Sequence, residues 1–208
     1  VLTDPLTTKP PALYALMNNI NDGYPTLITL NGEQWHARRK GSAPAFSSNH
    51  VRRMNSVALE KTEIWIREKL RPMTQENESF DVAKEMIGIT LSAICETAFE
   101  YTMSEEERKT FLSESDLATK EFMLKSTVNP LRRWFGFFLP ERRRAFAAAK
   151  KLNQIGINII ESYRKLEDPL KGTMIQQVMI CDAYKNDAER TAEVLLLLTA
   201  GYETTANS

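Results

Sequence analysis

Apolar residues recur along most of the chain at intervals of three and four positions, the spacing that places them on one face of an α-helix. In the segment 48–70, for example, Val51, Met54, Val57 and Ile64 fall on one side. The same pattern predicts about eight helices, over residues 4–17, 32–40, 48–70, 81–100, 104–125, 141–166, 170–184 and 187–208. No segment shows the strict alternation typical of a strand, so we predict a mainly α fold in a single domain over residues 1–208.

Residues at the segment ends support these helices. Ser104 is followed three positions later by Glu107, which fits a capping box in which each side chain accepts the backbone N–H of the other residue. The connection over 18–31 is rich in Asn, Gly and Pro, and the connection over 129–140 is aromatic and bounded by prolines. Both are predicted to be loops.

The charge balance and the cysteine count narrow the range of functions. Lys and Arg number 27, as do Asp and Glu, so the formal net charge is zero. This balance argues against nucleic-acid binding, which usually needs a basic excess. His36 and His50 lack metal-ligand spacing with a cysteine, and no hydrolase or nucleotide-binding motif occurs. Cys95 and Cys181 form no CxxC pair, and we interpret Cys95 as a small buried apolar residue.

The last helical segment combines a very apolar run with small and polar residues. Val194–Leu198 predicts burial on all sides of the helix, yet Gly201, Glu203 and Thr204 follow directly. Helical spacing aligns Ala200 with Thr204, which gives a flat face that carries a hydroxyl group. Two interpretations fit this face: close packing of two helices through small residues, or contact with a planar ligand that approaches the backbone.

In the segment 32–40, Trp35 and Arg39 are one helical turn apart, at positions i and i+4. The indole N–H and the guanidinium group are both hydrogen-bond donors, and together they suit an anionic group such as a carboxylate. The alternative is an exposed basic helix in which Trp35 enters the core for packing alone.

Two motifs connect these patterns. The sequence Ala-Gly-Tyr-Glu-Thr-Thr at 200–205 resembles the oxygen-binding signature of the heme-thiolate monooxygenases, the cytochrome P-450 family. Gly-x-x-Trp-x-x-x-Arg at 32–39, followed by Pro-Ala-Phe-Ser at 44–47, is similar to the third helix of that family and its exit. The resemblance implies a truncated cytochrome P-450 fold, from the second helix to the middle of the long central helix, without most of the β-sheet. We therefore interpret the chain as a piece of a longer protein.

The resemblance implies heme b as the cofactor and dioxygen as a co-substrate. In the family, the Trp and the Arg of the early motif contact the heme propionates, which implies this role for Trp35 and Arg39. The late motif implies further cofactor contacts by Ala200, Gly201 and Thr205.

The same resemblance implies catalytic roles for two residues. Glu203 would relay protons from solvent, and Thr204 would act as the general acid. The cysteine that ligates iron would lie outside this chain, because neither Cys95 nor Cys181 has the context of the heme loop. We therefore expect the fragment alone to be inactive and to bind heme weakly or not at all.

The family's activity implies hydroxylation of a lipophilic organic substrate, with electrons from a redox partner, either a reductase or a ferredoxin. Loop 18–31 and segment 121–138 would shape the substrate pocket. Within them, Phe122, Phe135 and Phe138 are the expected substrate-binding residues.

Basic and aromatic residues interleave over 131–144, which predicts contact with an anionic membrane surface. The alternative is a solvated helix face beside a hydrophobic loop, and we expect no nucleic-acid partner. The longest apolar run is far shorter than the roughly 18 residues that a membrane span requires. The targeting segment would lie outside this chain, so the expected localisation is membrane-associated, at the endoplasmic reticulum or a plastid, or cytoplasmic.

A non-enzymatic, all-helical ligand-binding or scaffold bundle explains the helical pattern equally well. It does not explain why the motifs at 32–39 and 200–205 occur together in this order. We therefore treat it as the alternative to an enzyme.

Overall fold

The computed structural model of the chain describes residues 8–76, 79–129, 131–134 and 138–206. Over these residues the chain is helical and forms no β-strand, which confirms the predicted fold class. The α-helices are α1 (Pro11–Asn18), α2 (Gly32–Ser42), α3 (Ser48–Trp65), α4 (Arg71–Glu76), α5 (Val82–Phe99), α6 (Glu105–Thr119), α7 (Ser126–Val128), α8 (Leu131–Trp134), α9 (Pro140–Arg164), α10 (Met174–Ile180) and α11 (Asp187–Ala206). They are extended by 3-10 segments at Asn19–Asn21 and Ala43–Phe46 and by π-helical segments at Ile66–Leu70 and Lys120–Lys125.

Within the described residues, helix α1 begins at Pro11, whereas the sequence pattern predicts a helix from residue 4. Residues 8–10 are not helical, and Pro10 is extended with a ψ of 113°. The cause is the pair of prolines, because a residue that precedes a proline is disfavoured in the α region. Pro11 then occupies the start of the helix, where its missing N–H is not needed. Residues 1–7 lie outside the described part of the chain.

Side-chain caps fix the starts of α6 and α10. The Ser104 Oγ accepts the N–H of Glu107 at 3.1 Å, and the Glu107 carboxylate accepts the N–H of Ser104 at 3.1 Å, which confirms the predicted capping box. The Thr173 hydroxyl accepts the N–H of Gln176 at 3.3 Å. Because this cap defines the first turn, α10 is shorter than the helix predicted over 170–184.

Helix α11 runs through the core and packs against α5 and α9. Residues 191–195 are all buried. Gly156 of α9 permits the close approach, because a side chain there would come within 2.8 Å of the Thr191 methyl group and 3.1 Å of Leu195. Near the other end of α11, the Tyr202 ring packs edge-on against Phe111 of α6, with 5.7 Å between the ring centroids. The helix that carries the late motif is therefore held along most of its length.

Cys95 lies in the same core and is 1% exposed, as predicted for a small apolar residue. Burial, and then the charge of Glu107, raises the pKa of its thiol to about 12. Across the described ranges, no helix combines the length and the apolar character needed to cross a bilayer.

Candidate functional site

The late motif forms the last turns of α11. The Thr204 hydroxyl donates to the carbonyl oxygen of Ala200 at 2.7 Å, and the Thr205 hydroxyl donates to that of Gly201 at 2.9 Å. Bonds of this kind, from a threonine to the carbonyl four residues earlier, locally bend a helix. Ala200 and Thr204 are exposed, so α11 presents an open face of small side chains.

Gly201 has a different neighbour, because it faces α5. A side chain at this position would overlap the Ile94 side chain. Close helix packing therefore accounts for Gly201, whereas Ala200 and Thr204 form the open face on which a planar ligand could lie. The two interpretations of the sequence thus apply to different sides of the same helix.

An apolar cavity of about 250 Å³ lies beside the open face, and we call it the α3–α11 cavity. Its wall includes Phe46, Met54, Ile94, Leu197, Ala200 and Gly201. His50 also lines it and is 6% exposed. Burial, and then the nearby charge of Arg53, lowers the pKa of His50, so the imidazole stays neutral at neutral pH. The cavity wall therefore carries no charge at neutral pH.

The early motif lies next to this cavity. The Arg39 guanidinium is 5.9 Å from the ring of Phe46, which is part of the cavity wall. Trp35 is half-buried, and the Lys9 Nζ lies 5.5 Å from its ring centroid. Lys9 is a positive group that sequence reasoning did not assign to this place, because no local pattern links it to α2. Of the two predicted anion-binding residues, Arg39 thus lies near the wall of the cavity that Ala200 also lines, whereas Trp35 is not among the residues that line it.

A second apolar cavity, of about 130 Å³, lies between α6, α11 and the loop before α2, and we call it the α6–α11 cavity. Its wall includes Met17, Ile20, Ile28, Met123, Leu196 and Thr199. Glu203 is exposed and lies at the edge of this cavity. It also borders a groove of about 690 Å³ that Lys84 and Asp116 line. Glu203 therefore lies between an apolar cavity and solvent.

Of the predicted substrate-binding residues that the structure describes, neither Phe122 nor Phe138 lines this cavity. Phe122 is fully buried between α6 and α9, where its ring centroid lies 5.0 Å from that of Phe146. Phe138 is 77% exposed, and Phe135 lies outside the described residues. Met123 lines the cavity instead, because helical rotation turns adjacent residues to different faces. Helical spacing could have indicated one residue that lines this cavity, because Thr199 precedes Glu203 by four positions and lies on the same side of α11.

The basic segment is partly engaged inside the chain. The Arg132 guanidinium donates to both carboxylate oxygens of Glu121, at 3.1 and 2.8 Å, and to Glu141 at 2.9 Å. Arg142 donates to the Ser126 hydroxyl at 2.7 Å and lies 5.4 Å from the ring of Phe122. These two arginines therefore tie α9 and α8 to the π-helical segment and contribute little free positive charge.

A family model described as Cytochrome P450 matches residues 9–208. The chain belongs to the cytochrome P450 family.

Individual proteins support the same assignment. The chain is 30% identical to Probable cytochrome P450 4e1 of Drosophila melanogaster over 83 residues, which cover 40% of this chain and 15% of that protein. The crystal structure of the cytochrome P450 CYP102L1 has a TM-score of 0.69 at 17% identity and covers 94% of this chain and 45% of its own. The cytochrome P450DA heme domain has a TM-score of 0.63 at 20% identity, over 93% and 42%. The chain thus spans less than half of the solved structures that it resembles.

Cytochrome P450 proteins carry heme, and the residues present fit this group. The open face at Ala200 and Thr204 has small side chains, the cavity that Ala200 lines is apolar, and Arg39 supplies a cation 5.9 Å from the ring of its wall residue Phe46. A flat apolar ring with peripheral carboxylates needs these three features. Within the described ranges, no group of three or more His, Cys, Asp or Glu side chains could hold a metal ion by itself.

Proposed function

We propose that this chain is part of a heme-dependent monooxygenase that hydroxylates a lipophilic organic substrate. One observation carries the proposal: the exposed residue Ala200 lines an apolar cavity, and the Arg39 guanidinium lies 5.9 Å from the ring of Phe46 in the wall of the same cavity. In a scaffold bundle, such small side chains would pack against another helix, as Gly201 packs against Ile94 in this chain. This juxtaposition is why we favour an enzyme over the non-enzymatic ligand-binding or scaffold bundle.

The binding residues act through hydrogen-bond donors and small size. Bound heme b would supply the activation of dioxygen, so that one oxygen atom of dioxygen enters a C–H bond of the substrate and the other leaves as water; we expect the cysteine that ligates its iron outside this chain. Trp35 and Arg39 would bind the carboxylates of the cofactor. Ala200 would let the backbone of α11 approach the ring. Gly201, which packs against α5 but also lines the α3–α11 cavity, and Thr205, whose hydroxyl donates to the Gly201 carbonyl, would make further contacts with the cofactor.

Glu203 and Thr204 would move protons. Glu203 lies at the boundary between the α6–α11 cavity and the open groove, where its carboxylate can exchange protons with water. The Thr204 hydroxyl is one residue further, on the open face. To donate a proton toward that face it must leave the Ala200 carbonyl, which costs about 1 kcal/mol for one hydrogen bond. This arrangement supports a relay in which Glu203 supplies protons and Thr204 delivers them.

The substrate would occupy the α6–α11 cavity, whose wall of Met, Ile and Leu side chains suits a lipophilic molecule. Electrons would come from a redox partner, a reductase or a ferredoxin. Both statements go beyond family membership and remain proposals about the full-length protein.

Residues 131–144 would contact a membrane surface. Leu131 and Phe138 are exposed, and so are Leu124 and Val128 close by in sequence, which supports this proposal. Arg132 and Arg142 are paired within the chain, so the charge facing lipid would come from Arg143 and Arg144. Membrane association would then place the protein at the endoplasmic reticulum or a plastid rather than in the cytoplasm.

The proposed function is tested by the spectrum of the full-length protein, reduced and exposed to carbon monoxide. Thiolate ligation should give a strongly red-shifted Soret band, whereas the 208-residue chain alone should give none. The double variant Trp35→Phe, Arg39→Met should retain less heme than wild type, and the exposed-site control Arg52→Met should retain a normal amount. Absence of the shifted band from the full-length protein would rule out the proposal.

A further inference from the structure

A buried group of charged side chains joins α2 to α11. Arg38 is 3% exposed and Glu193 is 1% exposed. The Arg38 Nη2 lies 2.6 Å from the Glu189 carboxylate, and its Nη1 lies 3.4 Å from that of Glu193. The guanidinium also stacks 4.6 Å from the ring centroid of Tyr184. We call Arg38, Tyr184, Glu189 and Glu193 the Arg38 cluster.

The Arg38 cluster holds the backbone of one segment, residues 25–30. The Arg38 Nη1 donates to the carbonyl oxygen of Pro25 at 2.7 Å. The N–H of Leu27 donates to both carboxylate oxygens of Glu193, at 3.1 and 3.2 Å. Two side chains, one from α2 and one from α11, therefore fix this turn from the inside.

Lys9 fixes the same segment from another direction. Its Nζ donates to the carbonyl oxygens of Leu27 at 2.9 Å and Leu30 at 2.8 Å. Leu27 is thus bonded at both its N–H and its carbonyl by charged side chains from distant parts of the chain.

The segment held in this way forms a wall of the α6–α11 cavity. Ile28 follows Leu27 directly and lines that cavity. Leu195 and Leu196, which also line it, follow Glu193 on α11 by two and three positions. The carboxylate that bonds Leu27 therefore belongs to the helix that supplies another part of the wall, so this bond sets the distance between Ile28 and α11.

Stability alone does not account for such a group. A buried ion pair is often no more stabilising than apolar residues of similar volume, because desolvation offsets the attraction. Charged side chains that bond backbone groups do provide direction, since each bond fixes a particular N–H or carbonyl in space.

We propose that Glu193 and Arg38 are positioning residues that set the width of the α6–α11 cavity and so determine which apolar ligands fit it. The inference deepens the proposed function, on which it rests for taking this cavity as the substrate site. The predicted selectivity is for compact apolar groups, because an apolar cavity of about 150 Å³ accommodates benzene.

Amide hydrogen exchange of the full-length protein tests the positioning step. Glu193→Leu removes the acceptor of the Leu27 N–H, so that amide should exchange roughly three- to tenfold faster than in wild type. Glu193→Gln keeps a carbonyl oxygen as an acceptor and should give a smaller increase. Exchange of the core amides in α9 reports the global free energy of unfolding. The Leu27 exchange rate of each variant is corrected for any change in that free energy.

Ligand selectivity tests the cavity step. Benzene and p-xylene serve as probes, with binding followed at the Ile28 methyl resonances and their assignment confirmed by Ile28→Val. Wild type should bind benzene more tightly than p-xylene. In Glu193→Leu and in Arg38→Met the ratio of the two dissociation constants should fall at least about threefold, since a released segment 25–30 lets the cavity widen.

Glu107→Gln is the matched control. The Glu107 carboxylate accepts a bond from the Tyr101 hydroxyl at 2.8 Å and, like Glu193, one from a backbone N–H, that of Ser104 at 3.1 Å, but it lines neither cavity. It should lower stability without changing the Leu27 amide or the probe ratio. If Glu193→Leu and Arg38→Met behave like this control, the positioning role is excluded. Neither readout depends on bound heme, so this result is separate from the spectral test of the proposed function.

Discussion

The Thr204 hydroxyl lies on the open face of α11 and bonds back to Ala200. If it delivers protons, Thr204→Ala in the full-length protein should release more peroxide per reduced nicotinamide consumed, because reduced oxygen is then lost before product forms. Peroxide and nicotinamide are measured in the same turnover. Thr97→Ala is the matched control, since Thr97 makes the equivalent bond to the Ala93 carbonyl at 2.7 Å inside α5. Equal ratios in the two variants would contradict the role of Thr204.

A substitution at Gly201 tests whether the late motif packs closely against α5. Alanine is favoured over glycine in a helix by about 1 kcal/mol, but overlap with Ile94 should cost about 1–3 kcal/mol. We therefore expect Gly201→Ala to lower the free energy of unfolding, as measured by urea denaturation. Adding Ile94→Ala should restore the gain from helix propensity in the double variant, relative to Ile94→Ala alone. A stabilising Gly201→Ala in the wild-type background would show that the overlap is absent.

For single residues, the sequence predicts which residues belong to the candidate site better than it predicts why each residue type is needed there. The small residues at 200–201 are visible in the sequence, but the reason for Gly201 is the Ile94 side chain of another helix. No local pattern contains that contact. The same holds for Lys9, whose partners are two loop carbonyls and the Trp35 ring.

Among the helices, the connection between α6 and α9 makes a prediction about lipid. Arg132 is paired with Glu121 and Glu141, whereas Arg143 and Arg144 are exposed. Binding of the full-length protein to vesicles of phosphatidylcholine with phosphatidylserine should therefore weaken more in Arg143→Gln, Arg144→Gln than in Arg132→Gln, as measured by co-sedimentation. Phe138→Asp should also weaken binding, because it places a charge on an exposed apolar side chain. Equal vesicle binding by all variants would contradict the proposed contact with a membrane surface.

Helix positions were predictable wherever the signal is local. The capping box at Ser104 and Glu107 lies within four residues, and the structure confirms it. The late start of α1 follows from the two prolines at 10 and 11, a local signal that the periodicity of apolar residues conceals. The π-helical segments are different, since the predicted helices over 48–70 and 104–125 contain no residue pattern that marks where the α-helix ends.

The Glu107 carboxylate makes the free energy of unfolding of the whole molecule depend on pH. Burial alone would raise its pKa, but hydrogen bonds from Tyr101, Ser104 and Asn158 outweigh it, so the pKa of Glu107 lies below its usual value. Its contribution to stability is therefore complete above the unfolded pKa of about 4.3 and is lost as the pH falls through the folded value. Urea unfolding at about pH 5.5 and about pH 3.5 should show a larger acid loss in wild type than in Glu107→Gln. The same loss in both proteins would mean that other carboxylates dominate.

The two cavities belong to the whole molecule and could not be predicted in detail. Loop 18–31 was expected to shape the substrate pocket, and Ile20 and Ile28 from it do line the α6–α11 cavity. Its other walls come from α6, α9 and α11, and only packing decides which face of each helix points inward. The spacing of residues alone therefore could not show that Met123 lines this cavity and its neighbour Phe122 does not.

The ion pairs of Arg38 between α2 and α11 also bear on how tightly a ligand can bind. Arg38 pairs with Glu189 and Glu193 and so holds α2 against α11. If Trp35, Arg39 and Thr204 contact a rigid ring as proposed, its binding would require little loss of backbone conformational entropy at these positions, and more of the interaction energy would be retained as affinity.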